Sequence, residues 1–175
     1  ITAITYTWTN NSSYAKEFSI YMTNTSASEF TSASTSNWQP TGAAALVYNG
    51  PHPTGTSGSV TYQLATPFVW DGSSNICITT TMNQPAGASH SSSGFYGKST
   101  ETSPQAYRSM YKYQDSNPID GSNPASVSPS SRSYYRPNIT LSSSGCSQYG
   151  TCAAPAVAVV DVTTNTATLA WAPGN

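Results

Sequence analysis

Seven carboxylates (Glu17, Glu29, Asp71, Glu101, Asp115, Asp120, Asp161), two histidines (His52, His90) and three cysteines (Cys77, Cys146, Cys152) are what this chain offers for acid–base, metal or thiol chemistry. Glycoside hydrolysis needs two carboxyls flanking one bond, yet these acids are scattered through turns and loops. A His-Glu-x-x-His zinc pair is excluded, because His52 stands between prolines and His90 among serines. Both read as solvated loop residues. No Gly-x-Ser-x-Gly nucleophile elbow occurs. The expectation is a chain that catalyses nothing.

Hard-oxygen chemistry has one candidate. Asp115-Ser116-Asn117-Pro118-Ile119-Asp120-Gly121 gathers Asp115, Asn117 and Asp120 in a single loop, a donor set suited to calcium. Pro118 breaks the register of the usual calcium loop, and the same string reads equally as a turn. Asp71, in Trp70-Asp71-Gly72, is better explained as a turn former: its carboxylate can accept backbone N–H bonds, and Gly72 can take a positive φ. The cysteines divide in two. Cys146 and Cys152 bracket a short turn-rich stretch, a spacing that permits a small disulfide loop or leaves two thiols in a linker. Cys77, inside Asn75-Ile76-Cys77-Ile78-Thr79, reads as a buried hydrophobe.

Aromatic side chains provide the remaining chemistry. Trp38, Tyr48, Tyr107, Tyr111 and Tyr113, with Arg108, Arg132 and Arg136 near strand tyrosines, could form a stacking and guanidinium platform for sugars. The structural alternative has Arg108 and Arg136 bonding turn carbonyls or Asp71, their stems covering apolar surface. Tyrosine at strand spacing is more often packing than pocket.

The elements that would position these groups follow from composition. Charged residues make up 7% of the chain, against about 25% in ordinary soluble proteins. Ser, Thr, Asn and Gly replace them, and Tyr is frequent, with 12 copies. Tyr and β-branched Thr suit a pleated, half-buried surface, whereas the Lys, Glu and Arg of exposed helices are scarce. A net charge of −1 gives no electrostatic footprint for nucleic acid or anionic membrane. No apolar run approaches the roughly 18 residues of a membrane-spanning helix. Ile1 already belongs to a strand pattern, so the chain is expected to be a mature or excised piece.

Alternation places strands at Thr2–Trp8, with Ile4, Tyr6 and Trp8 on one face, at Phe18–Met22 and at Gly58–Leu64. A strand over Ala43–Tyr48 is expected to close at the breaker Asn49-Gly50-Pro51. Further strands are expected near Asn75–Thr79, Gly94–Gly97, Tyr107–Tyr113 and Tyr134–Leu141, with polar loops over 24–36 and 114–132. Many short strands between Gly, Pro and Ser turns predict an all-β, jelly-roll-like β-sandwich over residues 1–141. Residues 142–154 read as a linker, and 155–175 as two strands around a Thr-Thr-Asn-Thr turn.

Two resemblances sharpen this. Pro155, Leu169 and Trp171 resemble the opening of a fibronectin type III domain, a proline-led strand followed by a second ending in a core tryptophan. Only the first two strands of that sandwich are present. The first 141 residues resemble a β-sandwich module of exported Bacteroidota multidomain proteins, often found before fibronectin type III domains. The matching pieces are Ile4–Trp8, Phe18–Met22 with Phe30 and Trp38, Leu46–Gly50, Pro67–Ile76, Arg108–Tyr111 and Arg136–Ile139. The resemblance implies a secreted or cell-surface location through the type IX route. It also implies another strand or two upstream of the position of Ile1.

Three functions remain open. The first is a structural or adhesive module of a surface protein, contacting neighbouring domains. The second is a filament subunit: a two-stranded ribbon is marginal alone, so Ala156, Val157, Val159, Leu169 and Trp171 would pack on another copy by strand exchange. The third is a glycan-binding module of a secreted enzyme.

Overall fold

The computed structural model describes residues 1–9, 16–39, 42, 45–53, 57–83, 94–99, 106–114, 117–143, 156–162 and 167–172, the last two segments as backbone alone. The chain divides into two units, Ile1–Ser142 and Ser143–Asn175. It is mostly strand, in antiparallel sheets.

In the first unit, β1 (Ala3–Thr9) lies between β11 (Ile139–Ser142) and β4 (Gly58–Gln63), and β6 (Gly94–Phe95) pairs with its far end. We call this sheet A. Sheet B places β2 (Lys16–Thr25) between β3 (Leu46–His52) and β5 (Asn75–Asn83). Short ladders join β7 (Gly97–Ser99) to β10 (Tyr135–Pro137) and β8 (Ser109–Tyr111) to β9 (Ser131–Ser133). Two single turns of 3-10 helix, Thr35–Asn37 and Pro124–Ser126, interrupt the long loops.

The two central strands explain the core. Ile4, Tyr6 and Trp8 of β1 and Phe18, Ile20 and Met22 of β2 are buried in one cluster with Val47, Tyr62 and Leu64. Period-2 alternation therefore faces the inner sides of sheets A and B toward each other. The interior is aromatic: Trp8 and Phe95 ring centroids lie 3.9 Å apart, and those of Phe18 and Tyr62 4.8 Å. Full burial of each such ring contributes about 1.5–3 kcal/mol. A chain with so few Leu and Val thus obtains its core from rings.

β3 departs from expectation. It runs through Asn49-Gly50-Pro51 to His52, opposite Lys16, rather than stopping at Tyr48. β3 is an edge strand, and an edge tolerates the donor that proline lacks. A register shift between Ile20 and Tyr21 leaves Val47 as an extra residue, so Tyr48, Gly50 and His52 share the inner face with Val47 also buried. His52 is therefore not a solvated loop residue. It is 1% exposed, and its Nδ1 lies 2.5 Å from the Tyr62 hydroxyl. Burial pushes the Tyr62 and Tyr6 phenols far up.

Other limits also moved. The expected Tyr107–Tyr113 strand is ordered as a ladder only over Ser109–Tyr111, and the closing strand splits into β10 and β11. The long loop over 114–132 contains a 3-10 turn and leads directly into β9.

In the second unit, β12 (Ala156–Val162) pairs antiparallel with β13 (Ala167–Ala172), with Val157 opposite Trp171 and Val159 opposite Leu169. The side chains of Ala156, Val157, Val159, Leu169 and Trp171 lie outside the described residues.

Candidate functional site

The outer face of sheet B carries a second layer. Tyr21, Thr81 and Asn83 project outward from β2 and β5, and the segment around Ile119–Ser122 lies on them. The Ile119 N–H donates to Asn83 Oδ1 at 3.2 Å, and Asn83 Nδ2 donates to the Ile119 carbonyl at 3.5 Å. Gly121 sets the approach. A Cβ there would stand 2.5 Å from the Tyr21 ring and 2.7 Å from the Thr81 methyl. Tyr21 and Thr81 are accordingly buried.

A second segment, 25–39, is tied to this layer and to β8–β9. The Trp38 indole Nε1 donates to the Val127 carbonyl at 2.9 Å, and the Gly42 N–H to the Ser122 carbonyl at 3.0 Å. Arg132 Nη1 donates to the Phe30 and Thr31 carbonyls at 2.8 and 2.6 Å, and Arg108 to the Ser28 carbonyl. The Arg132 guanidinium also lies 3.7 Å from the centre of the Tyr107 ring. Tyr134 stacks on Tyr107 with centroids 4.1 Å apart and donates its hydroxyl to it at 2.7 Å. That bond, first among its causes, raises the Tyr134 phenol. A guanidinium and a ring, each so near the centroid, must take opposite faces of Tyr107.

Between the two 3-10 turns this layer forms an open cleft of about 320 Å³, lined by Thr35, Ser36, Trp38, Gln39, Gly42, Ser122, Asn123, Pro124 and Ala125. Its lining is mainly apolar, with Trp38, Pro124 and Ala125 contributing, and Thr35, Ser36, Gln39, Ser122 and Asn123 add neutral hydroxyls and amides. Among the described residues no ionisable side chain lines it.

The residues singled out from sequence separate into groups. Tyr111 and Tyr113 are 46% and 72% exposed, as a ligand-facing reading requires, and Tyr135 joins them at 58%. Trp38 is half-buried in the cleft wall. Tyr107 is occupied on both faces. Tyr48 packs against Phe18 and Tyr62 and donates its hydroxyl to the Pro51 carbonyl at 3.1 Å. These two are packing residues. Of the arginines, Arg108 and Arg132 bond loop carbonyls, and Arg136 sits exposed on β10 opposite Lys98.

Asp71 caps a turn: its Oδ1 accepts the Ser73 and Ser74 N–H groups at 2.9 and 2.7 Å, with Gly72 at φ +80°. Bonds from Ser74, then Ser73, hold its carboxyl down at about 2. Asp120 Oδ1 accepts the Ser122 N–H and hydroxyl at 2.8 and 2.7 Å, which lowers its carboxyl too. Asn117 is exposed, and its carbonyl accepts from Gln114 Nε2 at 2.9 Å. Asp115 lies outside the described residues, as do His90, Cys146 and Cys152. Among the described residues no three His, Cys, Asp or Glu side chains come together as a metal site. The glycine of the candidate calcium loop thus has a packing reason. Cys77 is half-buried on the outer side of β5 rather than within the core, and burial raises its thiol.

Sequence reasoning missed Thr35, Asn123 and Gly121. Each lies in a Ser-, Asn- and Gly-rich stretch whose long-range contacts leave no local signal. No helix among the described residues is long and apolar enough to cross a membrane. No known protein family, curated protein or solved structure matches the chain.

Proposed function

We propose that this chain is a non-enzymatic structural and adhesive module of a bacterial extracellular or cell-surface protein. The observation that carries the reading is the pinned loop layer on sheet B. Loops tend to carry contact residues when a rigid scaffold positions them. Here the scaffold is an aromatic sandwich, and the loops are fixed by Arg132, Asn83 and the close approach at Gly121. In this reading the first unit is a jelly-roll-like module of the exported Bacteroidota type, and β12–β13 opens a fibronectin type III domain. The chain is sparsely charged, at 7%, and exposes Tyr111, Tyr113 and Tyr135, which suits glycans and neighbouring domains over nucleic acid. Beads coated with the chain are expected to be retained on at least one polysaccharide or cell surface, without releasing soluble product. Retention on none, or product release, would overturn the reading.

A second reading, a filament subunit assembled by strand exchange, has one specific observation behind it. Ile139 and Leu141 of edge strand β11 stand opposite the fully buried Tyr6 and Ile4, yet they are 39% and 38% exposed. Among the described residues no strand pairs with the outer edge of β11, which carries no charge and no proline to protect it. Negative-stain microscopy of the full chain is expected, on this reading, to show filaments that Leu141→Lys abolishes. Monomers alone would dismiss it.

A further inference from the structure

We infer that the cleft between the two 3-10 turns is a binding subsite for a neutral saccharide, a site that deepens, and rests on, the adhesive reading. Its chemistry selects the ligand class. None of the described residues that line it is ionisable. A phosphate, carboxylate or ammonium ligand would enter without a compensating charge, which is costly to desolvate. A saccharide fits this mixture, because its C–H faces suit the largely apolar lining and its neutral hydroxyls can exchange hydrogen bonds with the few hydroxyls and side-chain amides there.

The lining groups are not all already used. Gln39 is held by Thr25, whose hydroxyl donates to Gln39 Oε1 at 2.6 Å, and Ser122 is held by Asp120. The Thr35 hydroxyl and the Asn123 side-chain amide have no hydrogen-bond partner among the described residues, and both are exposed. They stand in the two turns that frame the cleft, one on each side. Trp38 completes the arrangement. Its Nε1–H is tied to the Val127 carbonyl at 2.9 Å, so the indole is fixed before any ligand arrives. A fixed ring offers an apolar platform for the C–H side of a sugar at low entropic cost. The volume of about 320 Å³ lies at the small end of ligand cavities, which run from about 300 Å³ upward, and suits a short saccharide.

The site also differs from the other exposed aromatics. Tyr111, Tyr113 and Tyr135 are more exposed, but none of them lines this cleft. In the cleft an aromatic wall and uncommitted polar groups converge.

The test is an NMR titration of the full chain with neutral gluco-, manno-, galacto- and xylo-oligosaccharides, using sialylated and sulfated oligosaccharides as charged controls. The expected result is saturable shifts from at least one neutral series. They should centre on the backbone amides of Thr35–Gln39 and Ser122–Ala125 and on the Trp38 indole N–H, with none from the charged controls. Asn123→Ala is expected to weaken that binding about tenfold while leaving the spectrum folded. Trp38→Phe, which keeps a ring but loses the bond to Val127, serves as a second variant and should also weaken it. Shifts centred on Tyr111, Tyr113 and Tyr135 would overturn the cleft and leave the adhesive reading standing. No shift with any neutral sugar, while coated beads still adhere, would also overturn the cleft alone. Failure of both assays would remove both.

Discussion

The two outer faces of the sandwich are built on the same pleated geometry and serve different ends. Sheet A presents Thr5, Thr61 and Thr140 in register, and the Thr5 and Thr61 hydroxyls bond at 2.7 Å. No described loop lies over that row, and the face is a polar skin. Sheet B presents Tyr21, Thr81 and Asn83, and a loop layer sits on them. The difference comes from residues, not topology. Thr5 and Thr61 satisfy each other across strands, whereas Asn83 takes its partner from a distant segment of the chain. The covered face is accordingly where the cleft forms.

Substitution should break this comparison in graded steps. The largest effect falls on Gly121→Ala. Its Cβ must displace the Tyr21 ring or lift the loop, so a loss of about 1–3 kcal/mol in chemical denaturation is expected. Arg132→Gln comes next, since two carbonyls and the Tyr107 ring lose their cation. It should cost about 1–2 kcal/mol after allowing for partial exposure, with loosened 25–39 amides.

Acid sharpens the contrast at the turn entering β5. The folded Asp71 carboxyl sits at about 2, below its ordinary value of 3.8. Its contribution is thus present above that ordinary value and lost as pH falls through about 2. Asp71→Asn should flatten the stability profile over this interval, read as a smaller fall in thermal midpoint than the parent shows. The smallest effect is expected on the bare face, where Thr61→Ala removes one exposed cross-strand bond. It should change stability by about 0.5 kcal/mol.

The contrast also bears on what a sequence can reveal. Alternation exposed Ile4, Tyr6 and Trp8 as one buried face, and likewise Phe18, Ile20 and Met22, because a central strand is read by its own period. The Asp71 turn was legible for the same reason: its bonds reach only two and three residues along the chain. His52 was hidden. Prolines on either side suggest a loop, and only pairing with β2 at a sheet edge reveals a strand with an inward imidazole. Gly121 was hidden more deeply, since the ring that demands it belongs to a distant strand. Candidate site residues fared by the same rule. Tyr111 and Tyr113 are open as alternation allowed, while Tyr107 and Tyr48 were claimed by partners no local pattern announces.

The central claim is that the layer on sheet B is part of the folded body. Native-state hydrogen exchange on the full chain tests it at three protons: the Ile119 and Gly42 amides and the Trp38 indole N–H, each bonded across the layer. The account predicts slow exchange at all three, and that Gly121→Ala accelerates them more than it accelerates the amides of β1. Exchange at the rate of an unstructured peptide, unaffected by that substitution, would contradict it.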